Sequence, residues 1–151
     1  MINLKCTDFL SVECSTNAIG LMNTNKLLSL IKESNYKYII GLGIYASKNN
    51  VIKIEKKATN HFRNEKAIKK APNYYDIGEF IKIEDMDTNF VISDKMGNSW
   101  CNMTAFVIRD CLNRNNISAL NGFIHIPNEP ENLPVYQSVI QNVLNSIKSS
   151  N

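Results

Sequence analysis

No apolar run in this chain is long enough to cross a bilayer. Stretches such as Tyr38-Ile39-Ile40-Gly41-Leu42 are among its longest, whereas a spanning helix needs about 20 consecutive apolar residues. Met1-Ile2-Asn3-Leu4-Lys5 lacks the basic start and apolar core of a secretion signal, so a cytoplasmic protein with no membrane partner is expected. Cysteine and histidine are sparse. Cys6, Cys14, Cys101 and Cys111 contain no Cys-x-x-Cys pair, and His61 and His125 are the two histidines. That spacing excludes a zinc ribbon or finger, and no metal or organic cofactor is called for. Cys6 and Cys14 would pair only in an oxidising compartment, which nothing else supports. Charge of one sign is not in large excess, the net value being +3. Seven basic residues do fall between Val51 and Ala71 (Lys53, Lys56, Lys57, Arg63, Lys66, Lys69, Lys70), against Glu55 and Glu65. Phe62 is the one aromatic there on which a base could stack, so nucleic acid is not an expected partner. A solvated strand edge and loop is the better reading.

What remains is a chain of ordinary globular composition, 44% apolar and 21% charged over 151 residues. That length predicts one domain over 1–151 with a core of its own. Ile2 to Cys6 alternates like a short strand. From Thr24, a candidate N-cap, Leu27, Leu28, Leu30 and Ile31 make a helical stripe ending near Asn35. Tyr36 to Leu42 reads as a buried parallel strand, after which Gly41 and Gly43 mark a turn. Val51 to Ala58 alternates, with Ile52 and Ile54 on one face and Lys53 and Glu55 on the other. Arg63 to Tyr75 looks like a loop, and Asp76 to Met86 is ambiguous between helix and strand. Phe90 to Ser93 is a strand candidate. A helix runs from Trp100 to Asn115, a strand from Ala119 to Ile126, and Pro134 opens a final helix. Alternating strands and helices predict an α/β sandwich with parallel strands at its centre.

Two segments carry chemistry. Gly97-Asn98-Ser99-Trp100-Cys101-Asn102 leads from a turn into a helix with a cysteine in its first residues. Amide dipoles at a helix start favour a thiolate, as does a neighbouring imidazolium. The free amides can also hold an oxyanion, and Gly97 permits the sharp turn. Gly122-Phe123-Ile124-His125-Ile126-Pro127 is an apolar strand that ends on a histidine, with His125 and Phe123 sharing a face. Strand ends at the carboxyl edge of a sheet are where sites form in α/β proteins. Both residues also have a bland reading, Cys101 as a buried structural cysteine and His125 as a hydrogen-bonded core residue. Cys111 fits the inner face of the same helix as a small hydrophobe. His61 is a rival base, but its polar surroundings suggest an exposed loop. A third group should orient the imidazole; pattern alone cannot select Glu55, which reads as a solvated strand residue.

At these residues the chain resembles pyroglutamyl peptidase I, the pyrrolidone-carboxylate peptidases. In that family a glycine stands four residues before a Cys-Asn pair, as Gly97 does before Cys101-Asn102. The segment from Gly122 to Pro127, with Glu129-Pro130-Glu131 following, is similar to its Gly-Phe-Ile-His-Val-Pro segment and later Pro-Glu. Val51-Ile52-Lys53-Ile54-Glu55-Lys56-Lys57-Ala58-Thr59-Asn60 resembles its Ile-x-Ile-Glu run leading to Ala-Ile-Asn, and Gly41-Leu42-Gly43 the strand end before it. The match covers most of the chain from Tyr36 onward. It implies a three-layer α/β/α sandwich with a mixed, mainly parallel central sheet. It also implies a cysteine peptidase that removes N-terminal pyroglutamate from peptides, with Cys101 as nucleophile, His125 as base and Glu55 orienting it. No cofactor is implied, and homo-oligomers are common in the family.

The chain departs from the family pattern at three places. It is shorter, with no counterpart before Tyr36 of the Gly-Phe-x-Pro-Phe-Gly-like loop that lines the family's substrate pocket. The stretch from Glu55 to Cys101 is shortened. Ala46-Ser47-Lys48-Asn49-Asn50 stands where the family has Pro-Gly-Arg. Tyr45 or Trp100 is the candidate to replace the lost aromatic wall. The alternative function is that of a catalytically degenerate relative serving as a binding or assembly subunit.

Overall fold

The structure, a computed structural model, describes residues 20–33, 35–46, 51–83 and 90–149. The strand expected at Ile2 to Cys6 lies outside them, as do Cys6 and Cys14.

Helix α1 (Gly20–Glu33) is followed by strand β1 (Tyr38–Tyr45), β2 (Ile52–Glu55), β3 (Lys57–Thr59) and β4 (Tyr74–Asp76). Then come β5 (Phe90–Ser93), helix α2 (Trp100–Arg114), β6 (Leu120–Pro127), a short 3-10 turn (Pro130–Asn132) and helix α3 (Leu133–Ser149). The main sheet has the order β1-β6-β2-β5. Strands β1 and β6 are parallel, β2 and β5 are parallel, and the two pairs meet where β2 runs antiparallel to β6. Strands β3 and β4 form a separate antiparallel ribbon. This is the mixed, mostly parallel sheet that the alternation of elements predicts.

Both faces of the sheet are covered at its central strands, which explains why β6 reads as an almost unbroken apolar run. Ile124 and Ile126 of β6, with Ile52 and Ile54 of β2, pack against Tyr136, Ile140, Val143 and Leu144 of α3. On the other face Phe123 packs with Phe106 and Ala105 of α2. Leu27, Leu28 and Ile31 of α1 close over Ile108 and Leu112 of α2. Each of these large side chains, once buried, contributes about 1.5–3 kcal/mol. The layers are therefore α3, sheet, and α2 with α1.

Three local expectations are corrected. Helix α1 begins at Gly20, ahead of Thr24. Gly41 and Gly43 do not end a strand; both lie inside β1, which runs on to Tyr45. The Val51 to Ala58 run is two strands that separate at Lys56, whose ammonium turns inward to the carbonyl oxygens of Gly78 and Ile81. Part of the Asp76 to Met86 stretch falls outside the described residues; the rest is irregular after β4. Among the described residues no helix is long and apolar enough to cross a membrane.

Candidate active site

Parallel pairing of β1 with β6 sets Gly43 beside His125. Antiparallel pairing of β6 with β2 sets Glu55 beside Phe123 and Lys53 beside His125. Helix α2 packs on this same face and brings its first turn over the strands. The residues expected from sequence to form a site (Glu55, Cys101 and His125) thus converge from three elements.

The imidazole is fixed from one side. His125 Nδ1–H donates to Glu55 Oε1 at 2.8 Å, and both side chains are buried, 5% and 1% exposed. Among the described residues the second carboxylate oxygen, Oε2, is buried without a hydrogen-bond partner, so the pairing with His125 is the interaction that offsets the cost of burying this carboxylate. The expectation of a solvated Glu55 is therefore overturned. Alternation assigns it correctly to the face opposite Ile54, but there the side chain meets His125 and not water.

The other edge of the ring faces the thiol. A Cβ added to Gly43 would fall 2.8 Å from Cys101 Sγ, 3.0 Å from His125 Cδ2 and 2.9 Å from Phe123 Cε1. Sulfur and the Cδ2–Nε2 edge of the imidazole are packed over the same point of β1, and only glycine leaves them room. Cys101 is half-buried, in contrast to Cys111, which is buried at 6% exposure. Burial pushes the Cys111 thiol pKa up. For His125, burial works against the charged ring. Hydrogen bonding to Cys101 and Glu55, together with the charge of both, reverses this and pushes its pKa up to about 9.

The turn that presents Cys101 is built from backbone. Gly97 has φ +84°, the left-handed region that a side chain disfavours. Ser99 caps α2 in extended conformation with no side-chain cap hydrogen bond, which leaves the first helical amides available to an anion. Asn102, fully buried, ties this turn to the ribbon. Its Oδ1 accepts Thr59 N–H at 2.8 Å and the Thr59 hydroxyl at 3.2 Å. Its Nδ2 donates to the carbonyl oxygens of Thr59 at 2.9 Å and His61 at 2.8 Å. All of the amide's donors and its oxygen are used. Gly43 and Asn102 both fall in segments that carry the family resemblance, but the part each plays here is not legible from sequence. The glycine reads as punctuation, and a polar residue one place after the cysteine is only a weak pointer.

The remaining candidates separate. The His61 side chain is exposed, as its polar neighbours suggest. Trp100 packs against Phe62 with the rings tilted, centroids 4.4 Å apart. Tyr45 stands edge-on to His125 with centroids 6.1 Å apart, and Phe123 lies 4.9 Å from it on the other side. Residues 47–50, where the Pro-Gly-Arg counterpart would fall, are outside the described residues.

The fold is similar to that of several solved peptidases. One is the pyrrolidone carboxyl peptidase of Fervidobacterium islandicum AW-1, with a TM-score of 0.74 and 18% identity over 83% of this chain and 76% of that one. Another is pyroglutamyl peptidase I of Bacillus amyloliquefaciens, with a TM-score of 0.70 and 21% identity over 84% and 71%. A mutant pyrrolidone carboxyl peptidase from P. furiosus gives 0.72 and 16% over 83% and 76%. At such identities the likeness is one of fold. No family model and no curated protein matches the sequence.

Proposed function

We propose that this chain is a cysteine hydrolase that removes pyroglutamate from the N-terminus of peptides, with Cys101, His125 and Glu55 as its reacting and orienting groups. The observation that carries this reading is the buried His125–Glu55 pair at 2.8 Å, set beside a half-buried cysteine at a helix start. Such a pair has the geometry of base and orienter in nucleophilic catalysis. The shared fold with pyrrolidone carboxyl peptidases supports the substrate class.

In this mechanism His125 Nε2 holds the proton of the Cys101 thiol, and the sulfur attacks the pyroglutamyl carbonyl carbon. A C–S bond forms, and the carbonyl oxygen becomes an oxyanion facing the free amides at the start of α2. Collapse breaks the C–N bond, and the departing amine takes the proton from Nε2. Water then gives a proton to His125 and attacks the thioester, releasing pyroglutamate and restoring the thiol. Glu55 keeps the ring oriented and its charge balanced throughout. The substrate lactam carries no ammonium, so its pocket requires apolar walls and backbone hydrogen-bonding groups with no acidic anchor. Phe123, which packs against the imidazole with ring centroids 4.9 Å apart, is the aromatic group placed to supply such a wall.

Hydrolysis of a pyroglutamyl-arylamide by the wild-type chain and by Cys101→Ala tests this. We expect turnover in the first and a loss of about three orders of magnitude or more in the second. Turnover unchanged by the substitution, or absent from the wild type, overturns the proposal. The second outcome would favour the binding or assembly subunit, for which the exposed Val91 and Ile92 on edge strand β5 offer a surface.

A further inference from the structure

Glu55 is not the only charged side chain that β2 directs to the face of His125. Alternation places Lys53 there as well, and Lys53 is the Cα partner of His125 across the antiparallel pair. Its ammonium lies 4.2 Å from the centroid of the Tyr45 ring, which itself stands edge-on to His125. The Tyr45 hydroxyl donates to the carbonyl oxygen of Val51, tying the ring to the chain just ahead of β2. Lys53 is half-buried, and among the described residues no carboxylate pairs with it. The Glu55 carboxylate on the same face is already committed to His125. Seated on an aromatic ring that itself stands edge-on to His125, the Lys53 ammonium is suited to an incoming anion.

The register indicates which part of a substrate it would meet. Cys101 Sγ lies over Gly43, two residues inside β1, whereas Lys53 reaches to Tyr45 at the strand's end. Seating the acyl group of the proposed substrate at the inner position, where Phe123 packs against the ring, leaves the outward side to the departing residue. The departing residue, which takes its proton from His125, lies outward toward Tyr45 and Lys53.

We propose that Lys53, seated on Tyr45, is a carboxylate-binding subsite for the departing part of the substrate, so that pyroglutamyl peptides with an anionic group there are preferred. This rests on the hydrolase reading above. The carboxylate could belong to an acidic side chain after the scissile bond or to the free C-terminus of a dipeptide.

The test compares pyroglutamyl-Glu-amide, pyroglutamyl-Ala-amide and pyroglutamyl-Ala with a free carboxylate, using wild type, Lys53→Met and Lys53→Glu. For the wild type we expect kcat/KM about tenfold higher for one or both anionic substrates than for the neutral amide, mainly through KM. Which of the two gains identifies the source of the carboxylate. Lys53→Met should abolish the preference while changing hydrolysis of the neutral amide about twofold at most, and Lys53→Glu should invert it. The preference should shrink as salt is raised. Equal rates on all three substrates in the wild type, or a preference that survives in Lys53→Met, overturn the subsite. Should no peptide be cleaved, the hydrolase reading fails, and alkylation of Cys101 still decides on Lys53. Lys53→Met should lower the ratio of iodoacetate to iodoacetamide rates about fivefold, and an unchanged ratio overturns the subsite.

Discussion

His125 and Glu55 sit on neighbouring antiparallel strands one diagonal step apart, and their side chains meet at 2.8 Å beneath α2. A carboxylate so buried has one hydrogen-bonding oxygen and one without a partner, so its charge is directed at the imidazole. Glu55→Gln keeps an acceptor for Nδ1–H and removes that charge. The His125 pKa, read by NMR titration, should drop from about 9 toward the ordinary value of 6.5. In the proposed hydrolase kcat/KM should fall about a hundredfold or more. A His125 titration that does not move would show that Glu55 does not join Cys101 in holding the ring charged.

The two described thiols should react very differently. Cys101 is half-buried at a helix start beside an imidazole, and Cys111 is buried with its pKa pushed up by desolvation. Iodoacetamide at neutral pH, followed by peptide mapping, should modify Cys101 about a hundredfold faster than Cys111. His125→Asn should narrow that gap. Equal, slow labelling of both would remove the basis for a nucleophilic Cys101.

His125 should also leave a signature in stability. Its folded pKa of about 9 lies above the value of about 6.5 expected when unfolded. Charged His125 therefore stabilises the fold fully below about pH 6.5, and this contribution is lost as pH rises through about 9. Thermal unfolding of the wild type and His125→Asn over that range should show their difference shrinking steadily with pH. A difference that is flat, or that grows toward alkaline pH, contradicts the raised pKa.

Much of this arrangement is legible in the sequence, and the losses have physical causes. Helix α2 and strand β6 are predicted within a residue or so of their bounds, because a 3.6-residue stripe and a long apolar run each report on local burial. The cysteine and histidine segments fall in those two elements, so their positions follow directly. Glu55 does not, since its four-residue strand alternates as if one face met water, and only its long-range pairing with β6 and His125 changes that. Strand β4 escapes for a similar reason. It pairs with β3 across 14 intervening residues, from Thr59 to Tyr74, and has no periodic signal of its own. Glycines in β1 mislead because the same residue serves both turns and close approaches.

Gly43 makes that last ambiguity testable. A methyl group there meets sulfur at 2.8 Å, an aromatic carbon of Phe123 at 2.9 Å and the His125 ring at 3.0 Å. Cys101 sits on a helix start clamped by Asn102, and His125 is held by Glu55 and by strand pairing on both sides, so neither can step aside freely. Gly43→Ala should therefore push sulfur and imidazole apart, costing about 1–3 kcal/mol of stability as an overpacked site does. Rapid alkylation of Cys101 should be lost along with it, while far-ultraviolet circular dichroism stays unchanged. An alanine variant that folds, melts and labels like the wild type would mean that β1 does not hold these groups together.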